Sequence, residues 1–196
     1  MIQENQVIIN EAKIHWLEAG DRSQPDVLFL HGMKFSARTW SELGTLDFFA
    51  SRGFHAVAVD LPGFGKSEDF PLEKDNILLI LMDRLGLRQP VVVAPSFSGG
   101  YCLPVVAEHP SRLRGFVAVG STNIPDYADR LNGNALPTLA IWGSNDEIVP
   151  VENADLLCTS MTNIRKVVLK DAGHPCYMTR TDDFHRELLT FFRSVS

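Results

Sequence analysis

The stretch Pro90-Val91-Val92-Val93-Ala94-Pro95-Ser96-Phe97-Ser98-Gly99-Gly100 decides the fold. A short, nearly continuous apolar run reads as a strand buried on both faces of a sheet. It runs directly into serines flanked by small residues, and an apolar segment of helical length follows. In that setting a small-x-Ser-x-small pattern forms a tight, strained strand-to-helix turn that lifts a serine hydroxyl above a parallel sheet. With Ser96 and Gly100 as the small residues two before and two after, the lifted serine is Ser98. Ser96 is the rival, set aside because it falls early, where the turn needs little bulk. On its own the pattern also fits a Ser/Gly loop at a strand end.

Three further segments repeat the theme. Val27-Leu28-Phe29-Leu30 leads into His31-Gly32-Met33, and Thr138-Leu139-Ala140-Ile141-Trp142 into Gly143-Ser144-Asn145-Asp146. Val167-Val168-Leu169 leads into Lys170-Asp171-Ala172-Gly173-His174. Each apolar run ends in a turn with polar residues. Outward from these, Gln6–Ile9 and Lys13–Leu17 read as a hairpin. Thr39–Arg52 has the apolar spacing of one helix, ended by Gly53. A strand at His55–Val59, a helix near Asp75–Leu85, a strand at Phe116–Val119, and helices near Val151–Met161 and Asp182–Arg193 complete the alternation. Such alternation predicts a single α/β domain over residues 1–196, with a mostly parallel sheet covered by helices on both faces. Ligands of such sheets bind at the carboxyl ends of the strands, where all the polar turns fall.

Residues 120–135 read as irregular or weakly helical, with room for one short helix, so a minimal lid and a shallow, open pocket are expected. Bulk composition narrows the function. The chain has 196 residues, 45% hydrophobic and 21% charged, with a net charge of -6. That balance argues against nucleic-acid binding, which needs a basic face. No signal-peptide pattern or membrane-length apolar run is seen, and three cysteines without metal spacing fit a reducing, cytoplasmic setting.

Catalysis by a serine needs an adjacent base, an orienting acid and donors for the developing negative charge. The chain order Ser98, Asp146, His174 is the one used by triads on sheets of this type. His174, in a Gly-His-Pro turn past the last strand, is the expected base, and Asp146 holds its imidazole, with Asp171 the competitor. His31 belongs to the oxyanion turn, and His109 and His185 read as helix-end or surface residues. Met33 and Gly99 supply the backbone N–H donors. Asp60 braces the turn after its own strand. Cys102 packs under the elbow, Cys176 is a weak rival nucleophile, and Lys34 stands beside the oxyanion loop. No metal or bound organic cofactor is needed for this chemistry.

His31-Gly32-Met33-Lys34-Phe35-Ser36-Ala37-Arg38-Thr39-Trp40, Asp60-Leu61-Pro62-Gly63-Phe64-Gly65, Pro95-Ser96-Phe97-Ser98-Gly99 and Ala172-Gly173-His174-Pro175-Cys176-Tyr177 together resemble the abhydrolase domain-containing 14 family of α/β-hydrolases. The likeness covers most of residues 26–120 and 137–192 and is least between Ser121 and Ala135. It implies a lidless α/β-hydrolase, cytosolic or membrane-tethered, acting on small acyl esters. One member is described as moving acetyl groups from protein lysine to coenzyme A and as a partner of a general transcription factor. The membrane anchor of the tethered relatives is expected to be lacking here. The leading expectation is a serine esterase working through an acyl-enzyme. Transfer of the acyl group to coenzyme A, or a protein-interaction module with a relic triad, are the alternatives.

Overall fold

Strand formation follows the apolar runs, and the ends of those strands place every polar turn singled out above. A computed structural model describes residues 1–69 and 74–195. β1 (Gln3–Ile9) and β2 (Ala12–Ala19) form the expected hairpin. β3 (Asp26–Phe29), β4 (His55–Val59), β5 (Val91–Pro95), β6 (Gly115–Val119), β7 (Thr138–Gly143) and β8 (Ile164–Leu169) follow. They join in one eight-stranded sheet of order β1-β2-β4-β3-β5-β6-β7-β8. β2 runs antiparallel to β1 and β4, and every pair from β4 to β8 is parallel. Every residue of β4 through β7 is buried, as strands covered on both faces must be.

Side chains alternate between the two faces with the period of two expected of a strand. Leu28, Val57, Val92, Phe116 and Ala140 pack on one face against α3 (Lys74–Leu85), α4 (Gly99–Glu108) and α6 (Glu152–Ser160). Phe29, Ala58, Val93, Val117 and Ile141 pack on the other against α1 (Arg38–Glu42), α2 (Thr45–Ala50) and α8 (Thr181–Val195). Helices therefore cover both faces, as expected. Between β6 and β7 the chain forms only the four-residue α5 (Ile124–Tyr127) and turns, so among the described residues no large lid stands over the strand ends. A second short helix, α7 (Cys176–Thr179), follows the His174 turn.

Two expectations are corrected. The single helix over Thr39–Arg52 is broken into α1 and α2 at Gly44, which adopts a left-handed φ of 69°. The break turns Thr45, Leu46 and Phe49 into the core. Gly53, with φ 84°, closes α2 as expected. His185 is not a surface residue. It is buried in α8, its Nε2 is 2.9 Å from the Thr45 hydroxyl, and its ring stacks on Phe48 at 4.6 Å. That pairing spans 140 positions, so no local pattern signals it.

Among the described residues no helix is long and apolar enough to cross a membrane.

Burial pushes the His185 imidazole down to about 4, with the Arg52 guanidinium acting in the same direction and Asp182 against it. Between the ordinary value near 6.5 and about 4, the unfolded chain binds a proton that the folded chain refuses. Stability from this group is therefore complete above about pH 6.5 and is lost as the pH falls through that window, by at most ~1.4 kcal/mol per unit. Urea unfolding of wild type and His185→Gln at pH 7 and pH 4.5 checks this. Wild type should lose more stability than the variant on acidification, and equal losses would contradict it.

Candidate active site

The turn after β5 is strained at its first residue. Ser96, the first residue beyond the strand, has φ 50°, a left-handed conformation costing on the order of 1–3 kcal/mol for a residue with a side chain. Its carbonyl is held by the Gly99 N–H, the Thr122 N–H at 3.0 Å and the Thr122 hydroxyl at 3.2 Å. Ser121 ties the neighbouring strand end down, its hydroxyl donating to the Ala94 carbonyl at 2.6 Å. The elbow is therefore built on Ser96, and its small flanking residues are Ala94 and Ser98.

The structure does not bring the expected Ser98 to His174. Ser98 is fully buried, and its hydroxyl donates to the Pro95 carbonyl at 2.8 Å. Ser96 Oγ instead lies 2.8 Å from His174 Nε2. The pattern fits both serines, but pairing with β6 carries β5 on through Pro95, opposite Val119. The strand thus ends at Pro95, and Ser96, the first residue beyond it, opens the turn. Gly99, expected as an oxyanion donor, donates its N–H to the Ser96 and Phe97 carbonyls. Its lack of a side chain serves packing: a Cβ there would stand 2.7 Å from the Thr122 carbonyl oxygen.

Asp146 and His174 come together. His174 Nδ1 lies 2.8 Å from Asp146 Oδ2. The carboxylate is fully buried, and its Oδ1 accepts the N–H groups of Ile148 and Val149, both at 2.9 Å. An acid pinned in this way accepts from Nδ1–H, which leaves Nε2 to accept the Ser96 proton. Asp171 is not the partner. It is exposed, and its N–H donates to the Ser144 hydroxyl. The loop carrying His174 lies directly on the end of β7 because Gly143 has no side chain. A Cβ there would meet the Ala172 and Gly173 carbonyl oxygens at 2.3 Å.

The loop after β3 supplies the second wall. The Leu30 N–H bonds to the Val93 carbonyl at 2.9 Å, and the Trp40 indole donates to the Leu30 carbonyl at 2.7 Å. His31 is buried, with Nε2 accepting the Leu61 N–H at 3.0 Å and Nδ1 donating to the Gly32 carbonyl at 2.9 Å. A backbone N–H can only donate, so this imidazole is the neutral Nδ1–H tautomer, and burial holds its pKa below the ordinary value. The Phe35 N–H also donates to the Gly32 carbonyl. In a trans peptide the N–H points opposite the carbonyl, so the Met33 N–H is turned away from His31. Among the described residues nothing accepts from it. A Cβ on Gly32 would stand 3.9 Å from Ser96 Cβ, which puts this peptide beside the serine. Asp60 braces the far side of the loop, accepting from the Ala37 N–H at 2.6 Å, the Lys66 N–H at 2.9 Å and His15 Nδ1.

These elements enclose a cleft of about 310 Å³. Met33, Phe35, Val119, Ile148, Pro175 and Tyr177 give it an apolar wall, with Ser96, His174 and Lys34 also lining it. Met33 and Ile148 remain 58% and 70% exposed. Cys176 is buried, and its thiol is pushed up to about 12 mainly by burial, then by the Asp146 charge. It is therefore a packing residue and not a nucleophile at neutral pH. Among the described residues no three His, Cys, Asp or Glu side chains are grouped to hold a metal ion.

Comparison with known proteins agrees with this architecture. The alpha/beta hydrolase fold family matches residues 25–135. "Protein ABHD14A" of Mus musculus is 38% identical over 172 residues, spanning 85% of this chain and 69% of that protein. "Putative protein-lysine deacylase ABHD14B" of Rattus norvegicus is 38% identical over 182 residues, spanning 87% and 84%. The crystal structure of a "predicted CIB-like hydrolase" from Thermoplasma acidophilum superposes with a TM-score of 0.93 at 20% identity, over 99% of both chains, a likeness of fold. Identity at this level over most of both sequences makes the chain an ABHD14-like member of the α/β-hydrolase family.

Proposed function

We propose that this protein is a serine-dependent acyl hydrolase whose nucleophile is Ser96, whose base is His174 and whose orienting acid is Asp146. The single observation that carries the reading is the continuous chain of hydrogen bonds from Ser96 Oγ through His174 to Asp146, both links 2.8 Å long. Ser96 Oγ attacks the acyl carbon as its proton passes to Nε2. Asp146 holds Nδ1–H and stabilises the imidazolium that forms. The oxyanion is met by the N–H of Met33. Nε2–H then protonates the leaving oxygen or nitrogen. Water, activated by the same imidazole, releases the acid and regenerates Ser96.

The apolar cleft beside Ser96 favours a short acyl chain over a bare charged one. The name of the ABHD14B relatives, "Putative protein-lysine deacylase", favours a second reading in which the acyl group leaves a lysine side chain as an amine. Coenzyme A as acceptor is a variant of either reading. It is separated from hydrolysis by whether added thiol speeds decay of the acyl-enzyme.

Ser96→Ala should lower turnover of a p-nitrophenyl ester by several orders of magnitude, since removing such a serine costs roughly 10⁶-fold in a studied protease. Ser98→Ala should retain turnover and lose only about 1 kcal/mol of stability, the ordinary worth of one hydrogen bond. The opposite ranking would assign the chemistry to Ser98. Lengthening the acyl chain from acetyl to butyryl should raise kcat/KM about fourfold per methylene, from ~0.8 kcal/mol of apolar burial each. A flat or falling series would remove the apolar cleft from the acyl site.

A further inference from the structure

Gly120 is the residue that follows β6, with its N–H on the Ile141 carbonyl at 3.0 Å and a left-handed φ of 51°. A Cβ at this position would lie 3.1 Å from Asp146 Oδ2 and 3.3 Å from both Nδ1 and Cε1 of His174. Two of these atoms form the acid–base hydrogen bond itself. All three separations are closer than the ~3.5–4.0 Å at which carbon contacts are comfortable. The bare Cα of Gly120 is thus the floor on which the Asp146–His174 pair rests.

One member of the pair can yield to an added atom and the other cannot. Asp146 is fully buried and clamped through Oδ1 by the Ile148 and Val149 N–H groups. His174 has hydrogen bonds to Asp146 and Ser96, and its other side faces the cleft. An atom added at Gly120 therefore displaces the imidazole. We propose that Gly120 is a positioning residue for the base: the absence of its side chain sets how deeply the His174 imidazole sits. That depth decides whether the ring spans Ser96 Oγ and Asp146 Oδ2 at once. This rests on the reading of Ser96, His174 and Asp146 as a catalytic set. An added Cβ makes the ring give by a few tenths of an ångström. Misplacing a reacting group by about 1 Å costs on the order of 10²-fold in rate, so Gly120 carries a kinetic consequence of several-fold without touching substrate.

Left-handed backbone alone would also make Gly120 sensitive to substitution, and Gly133 separates the two effects. It has φ 75°, and a Cβ there would meet nothing within 4 Å. Gly133→Ala therefore imposes the backbone strain without the displacement.

The experiment compares wild type, Gly120→Ala and Gly133→Ala below their unfolding temperatures. Its two readouts are kcat for p-nitrophenyl acetate and the downfield proton NMR resonance of His174 Nδ1–H, assigned by its loss in His174→Ala. The expected result is a several-fold drop in kcat for Gly120→Ala with KM changed less, and a shifted or missing resonance. Gly133→Ala should keep both. Should Gly120→Ala not fold, Gly120→Asn brings the same Cβ on a residue that tolerates left-handed backbone better. Folded Gly120 variants with wild-type kcat and an unmoved resonance would overturn the proposal, as would failure of both variants to fold. A wild type that turns over no ester fails the hydrolase reading instead, and the resonance then still tests the seating of the ring.

Discussion

The left-handed backbone at Ser96 is the constraint on which the rest of the structure depends. A residue with a side chain adopts that conformation at a cost, so it persists only where surrounding structure leaves no alternative. Here its carbonyl collects hydrogen bonds from Gly99 and Thr122, and Ser121 welds the ends of β5 and β6 together. The same contacts that hold the turn explain its composition. Ala94 and Ser98 are small because the chain folds back sharply, and Gly99 is bare because the Thr122 backbone passes where its Cβ would be. The strain lifts the Ser96 hydroxyl off the sheet and toward an imidazole supplied by a loop 78 positions away.

Around that point the sheet acts as a jig. β3, β5, β7 and β8 end at one edge, and each contributes one loop: the Met33 peptide, Ser96, Asp146 and His174. Each loop has its own local lock. His31, neutral and buried, bonds to Leu61 and Gly32 and turns the Gly32–Met33 peptide. Asp60 ties the start of α1 to the turn after β4. Gly143 lets the His174 loop lie on β7, and Gly120 lets the imidazole lie on β6. Much of the site's geometry is therefore set by where side chains are absent.

The architecture was legible because buried strands leave continuous apolar runs, and the polar residues that end them are exposed to inspection. Asp146 and His174, which the structure brings together, could be picked out for that reason, each being tied to the end of its own strand. The choice between Ser96 and Ser98 could not be made by composition. Ala94-Pro95-Ser96-Phe97-Ser98 and Ser96-Phe97-Ser98-Gly99-Gly100 satisfy the same rule, and only the pairing of Pro95 with Val119 shows where the strand stops. Pro95, ending the apolar run, was the available signal. The break at Gly44 and the burial of His185 were hidden for a related reason. Both follow from how α2 and α8 meet across the same face of the sheet, and no window of sequence contains that contact.

The most direct test of this account is the site of a covalent trap. A fluorophosphonate reacts with a serine only where a base removes its proton and an oxyanion site receives the new charge. Fragmentation mass spectrometry of the labelled peptide spanning residues 90–112 distinguishes the two serines. The account predicts a single adduct on Ser96, absent when His174 is replaced by alanine. An adduct on Ser98, or labelling of Ser96 that persists without His174, would contradict it.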